Sequence, residues 1–328
     1  MRKIILLFMI MVLFPCGMVM VASLFFEEIT IGDGGNSLKK NYMGKSILIE
    51  MDGLYKSIDV EEYVLGVLPG TISPDYDQEA LKTQAILIRT NVLKEMLEKN
   101  TSDAADLSYQ YLTVEDRKML FGELHYERNE RCFERAVAQT AGEVIKKEDA
   151  LIMALYHEVS IGKTASAKDI LGEDISYLQS VDSSQDVEAK RYMNIITYSF
   201  AELKEKLQMD GSLQEKETEM TEGQQKNPND SRIDIAVTES TQDGFVKQLT
   251  AGEKTLTGDE AMQQLGLSST NFYVEEMDGG VRFVCLGKGN CLGVSLYGAN
   301  VLALQGKKYE EIIRYYYKDV SVVKYNPV

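Results

Sequence analysis

The segment that most restricts this chain is IILLFMIMVLFPCGMVMVASLFF, Ile4 to Phe26, an uncharged run at its start. Roughly 20 consecutive apolar residues are enough to cross a bilayer as a helix. Arg2 and Lys3 precede the run, and Glu27 and Glu28 follow it. Positive flanks stay on the cytoplasmic side, so the pattern predicts a single span with the N-terminus inside and the rest extracytoplasmic. A cleaved signal peptide is the rival, with Val21 and Ser23 at a signal-peptidase site. Such peptides carry apolar stretches of about 7–15 residues, and the greater length here favours a retained anchor. Pro15 predicts a kink, and the residues before Cys16 make a poor lipobox.

The remaining ~300 residues suffice for one large domain or two small ones. The net charge of −16 excludes nucleic-acid binding, which demands a basic face. It also means that any grip on an anionic polymer must come from a local site. Three cysteines lie outside the apolar run, at 132, 285 and 291. Their odd count defines no disulfide framework, although Cys285 and Cys291 flank a Gly-rich turn and could pair. No Cys/His cluster has zinc-like spacing.

The composition changes sharply at 209–231, an acidic stretch rich in Gln and Gly with few apolar residues. Such a stretch cannot offset its ordering entropy, and it reads as a flexible insert. The expected organisation is an anchor at 1–28, a connector at 29–44, a first lobe at 45–208, the insert, and a second lobe at 232–328. The fold class is mixed α+β, since neither regular βαβ alternation nor a sandwich pattern is present. Asp52-Gly53 predicts a hairpin turn within Ser46 to Tyr55. Val60 to Val67 reads as a short helix. Leu81, Ala85, Ile88, Val92 and Met96 form one helical stripe over Gln78 to Glu98, with Asp77 as N-cap. Further helices are expected at Tyr126 to Thr140, Val294 to Gln305 and Tyr309 to Tyr317. Strands are expected on either side of Glu148-Asp149, at Ile233 to Val237, Phe245 to Leu249 and Arg282 to Leu286.

Taken alone, the residues single out no chemistry. His157 and Ser160 are close in sequence, but no GxSxG nucleophile elbow is present. Gly287-Lys288-Gly289 lacks the context of a phosphate loop.

Three segments are more specific. EEYVLGVLPGTISPDYDQEALKTQAILIRT, Glu61 to Thr90, resembles the signature EYVxGVxxxEMPxxxxxEALKAQAxAARTY of the SpoIID/LytB family of stage II sporulation and amidase-enhancer proteins. YHEVSIGKTASAKDILGEDISYLQSVDSSQD, Tyr156 to Asp186, is similar to that family's FHSxSxGKT…YLxSVxSxxD. LGKGNCLGVSLYGANVLALQGKKYEEIIRYYY, Leu286 to Tyr317, resembles its GxGHGxGMSQYGA segment.

The resemblance implies a membrane-anchored peptidoglycan lytic transglycosylase that acts on peptide-stripped glycan strands. Its implied partners are a SpoIIP-like amidase and a SpoIIM-like membrane protein. It also implies a catalytic Glu in the xEMP step. Gap-free alignment puts Thr71 there, and a threonine hydroxyl cannot act as a general acid. Asp75 and Asp77 are the nearby carboxylates that would have to substitute. The family's cleft His and Gln are replaced by Asn290 and Leu296. Some members bind zinc beside the second motif through His and Cys; the Cys partners are absent, and neither metal nor cofactor is expected. The glycan-binding candidates that remain are Lys82, Arg89, His157, Ser160, Lys163, Thr164, Asn290 and Ser295. For Lys82 and Arg89, structural ion pairs are an equal alternative. The sequence thus predicts a SpoIID-like scaffold or partner activator with impaired catalysis; the alternative is an active transglycosylase using Asp75 or Asp77.

Overall fold

A computed structural model describes residues 44–51, 53–209 and 232–326. The apolar run at 4–26 and most of the 209–231 insert lie outside these residues. Among those described, no helix is long and apolar enough to cross a membrane.

The chain enters through a hairpin of β1 (Ser46–Met51) and β2 (Leu54–Asp59), which turns at Gly53 with φ +76°. Asp59 then caps α1 (Val60–Val67) by accepting a hydrogen bond from the Glu61 N–H at 2.8 Å. A short 3-10 turn at Leu68–Gly70 leads to the long helix α2 (Gln78–Glu98). Asp77 caps α2 as its sequence position predicts, through the Glu79 N–H at 2.8 Å. The apolar stripe along α2 is buried, but so are Thr83, Gln84, Ile86, Leu87, Arg89 and Thr90. The helix is therefore enclosed on nearly every side rather than laid on a surface.

A pair of helices, α3 (Val114–Phe121) and α4 (Glu123–Gln139), packs beside α1 and α2. The sequence reading missed α3, although Thr113 and Asp116 form a capping box that marks its start. Next come β3 (Glu143–Lys147) and β4 (Ala150–Leu151), with Glu148 at φ +53° in the expected turn. β5 (Tyr156–His157) and the short α5 (Ala167–Ile170) follow.

The polar insert does not mark a boundary between cores. β6 (Met193–Ser199) and α6 (Phe200–Lys206) precede it, yet Phe200, Leu203 and Leu207 share a core with Ile233, Leu249 and Phe283. That core is framed by two three-stranded antiparallel sheets. One is built from β7 (Ile235–Ser240), β8 (Val246–Ala251) and β9 (Lys254–Thr257). The other sets β11 (Gly280–Leu286) between β10 (Phe272–Met277) and β6. Helix α7 (Gly258–Leu265) contributes Ala261 and Leu265.

The chain then returns to the first core. β12 (Val294–Ser295) pairs in parallel with β5, and β13 (Ser321–Lys324) pairs with β3. Ala299 and Ala303 of α8 (Leu296–Leu304) and Ile312, Ile313 and Tyr316 of α9 (Tyr309–Tyr316) pack with Ile86, Leu87 and Ile145. By packing, the first body holds 44–189 together with 294–325, and the second holds 193–286. The expected division at 208 and 232 follows composition; the cores divide elsewhere. Cys132, Cys285 and Cys291 are all free thiols, so the pairing considered for Cys285 and Cys291 does not form.

Candidate functional site

The three motif segments meet where β5 lies against β12. Residues 156–157 run parallel to 294–295, and only glycine fits at 293, where a Cβ would sit 1.9 Å from the Leu155 carbonyl oxygen. Behind this junction is the buried carboxylate of Asp186. One oxygen accepts the Ser160 N–H at 2.7 Å and the Ser295 hydroxyl; the other accepts the Ser183 hydroxyl at 3.0 Å. Tyr316 closes the group, its hydroxyl 3.1 Å from that of Ser183. The sequence reading included Ser160 and Ser295 but missed Asp186. The only signal for it was its place as the last residue of the second motif.

These polar groups are turned inward. Ser160 and Ser295 are fully enclosed, and Thr164 spends its hydroxyl on the Val181 N–H at 2.9 Å. His157 is 3% exposed and has Nδ1 3.0 Å from the Leu292 carbonyl. That carbonyl can only accept, so Nδ1 carries the proton and Nε2 is the unprotonated nitrogen. Nε2 is buried without a partner among the described residues. Burial lowers the His157 pKa to about 4, while the Leu292 carbonyl and the charge of Asp186 pull it back upward. The imidazole is therefore neutral near pH 7. Asn290 accepts the Leu292 N–H at 3.1 Å within its own turn. Lys163 lies at the surface and pairs with Asp243.

The first-motif candidates are also committed locally. Thr71 ends the 3-10 turn, with its N–H and its hydroxyl both donating to the Leu68 carbonyl at 3.0 and 2.9 Å. Asp75 points outward, 75% exposed and 3.6 Å from Arg128. Asp77 is held as a helix cap, and its own N–H donates to Asn300 of α8 at 2.7 Å. Lys82 bonds Glu79 at 2.8 Å and sits 5.6 Å from the Tyr309 ring centre. Burial works to raise the Glu79 pKa, but Lys82 and the Tyr309 N–H outweigh it and the pKa falls.

Arg89 does not face a cleft. It is fully buried and bonds both oxygens of Glu61, at 2.9 and 2.6 Å, plus the Glu143 carbonyl at 3.1 Å. Glu61 in turn accepts the Gly142 N–H at 2.7 Å. The structural-pair alternative describes Arg89, which fastens α1, α2 and β3 together.

The family model for SpoIID, described as stage II sporulation protein, matches residues 52–146. A stage II sporulation protein D of Bacillus amyloliquefaciens is 29% identical over 275 residues, covering 81% of this chain and 75% of that protein. Another, from Bacillus subtilis (strain 168), is 27% identical over 299 residues, covering 88% and 81%. The chain is similar to the SpoIID family in these segments. Set against the geometry, the SpoIID signature separates into two kinds of residue. Glu61, Arg89, Ser160, Thr164 and Ser295 hold elements together, whereas the loop 71–77 and the turn 287–290 border the junction from outside.

One half-buried group at that border stands at a position where the family pattern has serine. Glu158 follows His157, and its carboxylate meets Arg191 at 3.5 Å and Lys288 on its other oxygen. Tyr76, from the loop after Thr71, lies close enough to feel it. Burial first, then the charge of Glu158, raises the Tyr76 pKa to about 12; Tyr297 and Asp186 add to the rise and Arg191 opposes it. Tyr297 is fixed alongside by its N–H, which donates to the Glu158 carbonyl at 3.0 Å.

Proposed function

We propose that this protein is a membrane-anchored, extracytoplasmic sporulation protein that binds peptidoglycan, or helps to remodel it, as a catalytically impaired scaffold or activator of a partner hydrolase. The single observation that carries this reading is the state of the xEMP step. Thr71 replaces the acid, and its hydroxyl is already spent on the Leu68 carbonyl. Loss of a general acid typically lowers rates by about 10²–10⁴-fold. The two carboxylates nearest in sequence offer no replacement, because Asp75 faces Arg128 and Asp77 caps α2. Moving either would disturb a positioning that tolerates only about 1 Å of error. Anchoring through residues 4–26, and pairing with a SpoIIP-like amidase and a SpoIIM-like membrane protein, belong to the same proposal and rest on the resemblance.

The test uses full-length protein in mild detergent, incubated with amidase-treated glycan strands. The expected result is strand binding without release of 1,6-anhydromuramyl ends. Release of those ends at a rate that falls in Asp75→Ala or Asp77→Ala would overturn the proposal in favour of an active transglycosylase.

A further inference from the structure

Resting on the glycan-binding reading above, we infer that Arg191 and Lys288 are the specificity-determining residues of this site, and that they recognise a free carboxylate carried by an amino-sugar strand. In peptidoglycan that group is the lactyl carboxylate of a muramoyl residue from which the peptide has been removed.

The inference starts from a charge imbalance. Two cations share the one carboxylate of Glu158, in a chain whose net charge is −16. Side-chain exposures of 72% for Arg191 and 37% for Lys288 leave both within reach of a ligand. Glu158 is itself 34% exposed, less than Arg191 and close to Lys288.

The second argument is placement. The Lys288 backbone is bonded to β5 and its continuation on both sides: its N–H donates to the Val159 carbonyl at 2.7 Å, and its carbonyl accepts the Glu158 and Val159 N–H groups at 3.1 and 3.2 Å. Gly287 and Gly289 flank it at φ +72° and +101°, and a Cβ at 289 would lie 2.8 Å from that of His157. The turn is therefore pressed onto β5, and Lys288 is delivered to Glu158. The chain next to Arg191 is held to the same turn, since the Gly287 N–H donates to the Tyr192 carbonyl at 2.6 Å. Tyr76 and Tyr297 border the trio and supply rings and hydroxyls of the kind that pack on and hydrogen-bond to sugars.

Chemistry selects the ligand. The sugar groups of a glycan strand are hydroxyls and acetamides, which are neutral. While the stem peptide is attached, the lactyl group is an amide. Removing the peptide creates a planar anion on the strand itself, matched by a guanidinium fork and an ammonium. Glu158 occupies these cations when the ligand is absent, so an incoming carboxylate succeeds only when neighbouring sugar contacts add to its binding.

The test measures binding of full-length protein in detergent to three labelled probes: amidase-treated strands, the same strands with their lactyl carboxylates converted to methylamides, and chitin oligosaccharides of equal length. The expected preference for the free acid is about ten- to a hundredfold, as for charge-assisted hydrogen bonds. Arg191→Ala and Lys288→Ala should each reduce that preference at least about threefold, while binding of the methylamide probe is retained. Glu158→Gln frees both cations and should bind the acid form at least as tightly as the unmodified protein. Equal binding of acid and methylamide strands, unchanged preference in both alanine variants, or loss of acid binding in Glu158→Gln overturns the inference and leaves glycan binding intact. Failure to bind any of the probes overturns the inference together with the function proposed above.

Discussion

Replacing Arg89 with methionine strips Glu61 of its only charged partner among the described residues, inside a fully buried site. Glu61 keeps one donor, the Gly142 N–H, and the Glu143 carbonyl loses the Arg89 donor. Removing one member of a buried pair costs about 3–5 kcal/mol, because the other charge is left uncompensated. In a body of this size that lowers the melting temperature by roughly 10 °C. Adding Glu61→Leu removes the stranded charge and leaves mainly the Gly142 N–H and the Glu143 carbonyl unpaired, at about 1–3 kcal/mol each. The double variant is thus expected to be no less stable than Arg89→Met, so the coupling energy is at least about 3 kcal/mol, the cost of Glu61→Leu alone. Guanidinium denaturation of the two singles and the double measures this directly. At a temperature where Arg89→Met is still folded, its affinity for glycan strands should equal that of the unmodified protein. A cost below about 1 kcal/mol for Arg89→Met, or additive losses in the double variant, would refute the buried-pair account. Loss of glycan binding with unchanged stability would return Arg89 to the cleft.

Three other outcomes follow from the same geometry. Asp186→Asn turns an acceptor of three donors into a partial donor and should cost about 2 kcal/mol by chemical denaturation. Since the His157 pKa falls from about 6.5 unfolded to about 4 folded, the unfolded chain takes up the extra proton between those values. Stability from this residue is full above pH 6.5 and is lost as pH falls toward 4, by up to roughly 3 kcal/mol. His157→Phe should flatten the melting temperature against pH across that window; an unchanged profile would refute the buried neutral imidazole. Gly293→Ala drives a Cβ to 1.9 Å from the Leu155 oxygen at φ +71° and should destabilise by about 3 kcal/mol, read as a lowered melting temperature.

Local features were legible in the sequence wherever their causes are local. Asp77 caps α2 because an N-cap needs only a side chain two residues from the free N–H it accepts. Gly53 turns the first hairpin for a similarly short-range reason. The role of Arg89 was not legible, since its partner lies 28 residues earlier and is brought close only when α1 packs on α2. Asp186 was missed for the same reason: its hydroxyl partner Ser295 lies 109 positions away, and the two meet only once β12 pairs with β5. The apolar stripe on α2 understated its burial, because periodicity reports the first face covered and not how many elements later close over the rest. Both strands of the junction, β5 and β12, lie within the family motifs. The motifs did not separate the inward-facing serines from the half-buried Glu158 that meets two surface cations, a distinction that only side-chain direction supplies.

The return of the chain to its first body determines when that body can form. β3 waits for β13, whose residue Ser321 lies opposite Lys146, 175 positions earlier. A core closed by such distant segments forms late, since loop closure must precede the contacts that stabilise it. Until residues beyond 293 have been made, Ile86, Leu87 and Ile145 lack part of the cover that makes them interior. A nascent or partly translocated chain would therefore present that apolar surface to whatever is nearby. Under the export proposed above, this would keep the polypeptide threadable during passage and place assembly on the far side.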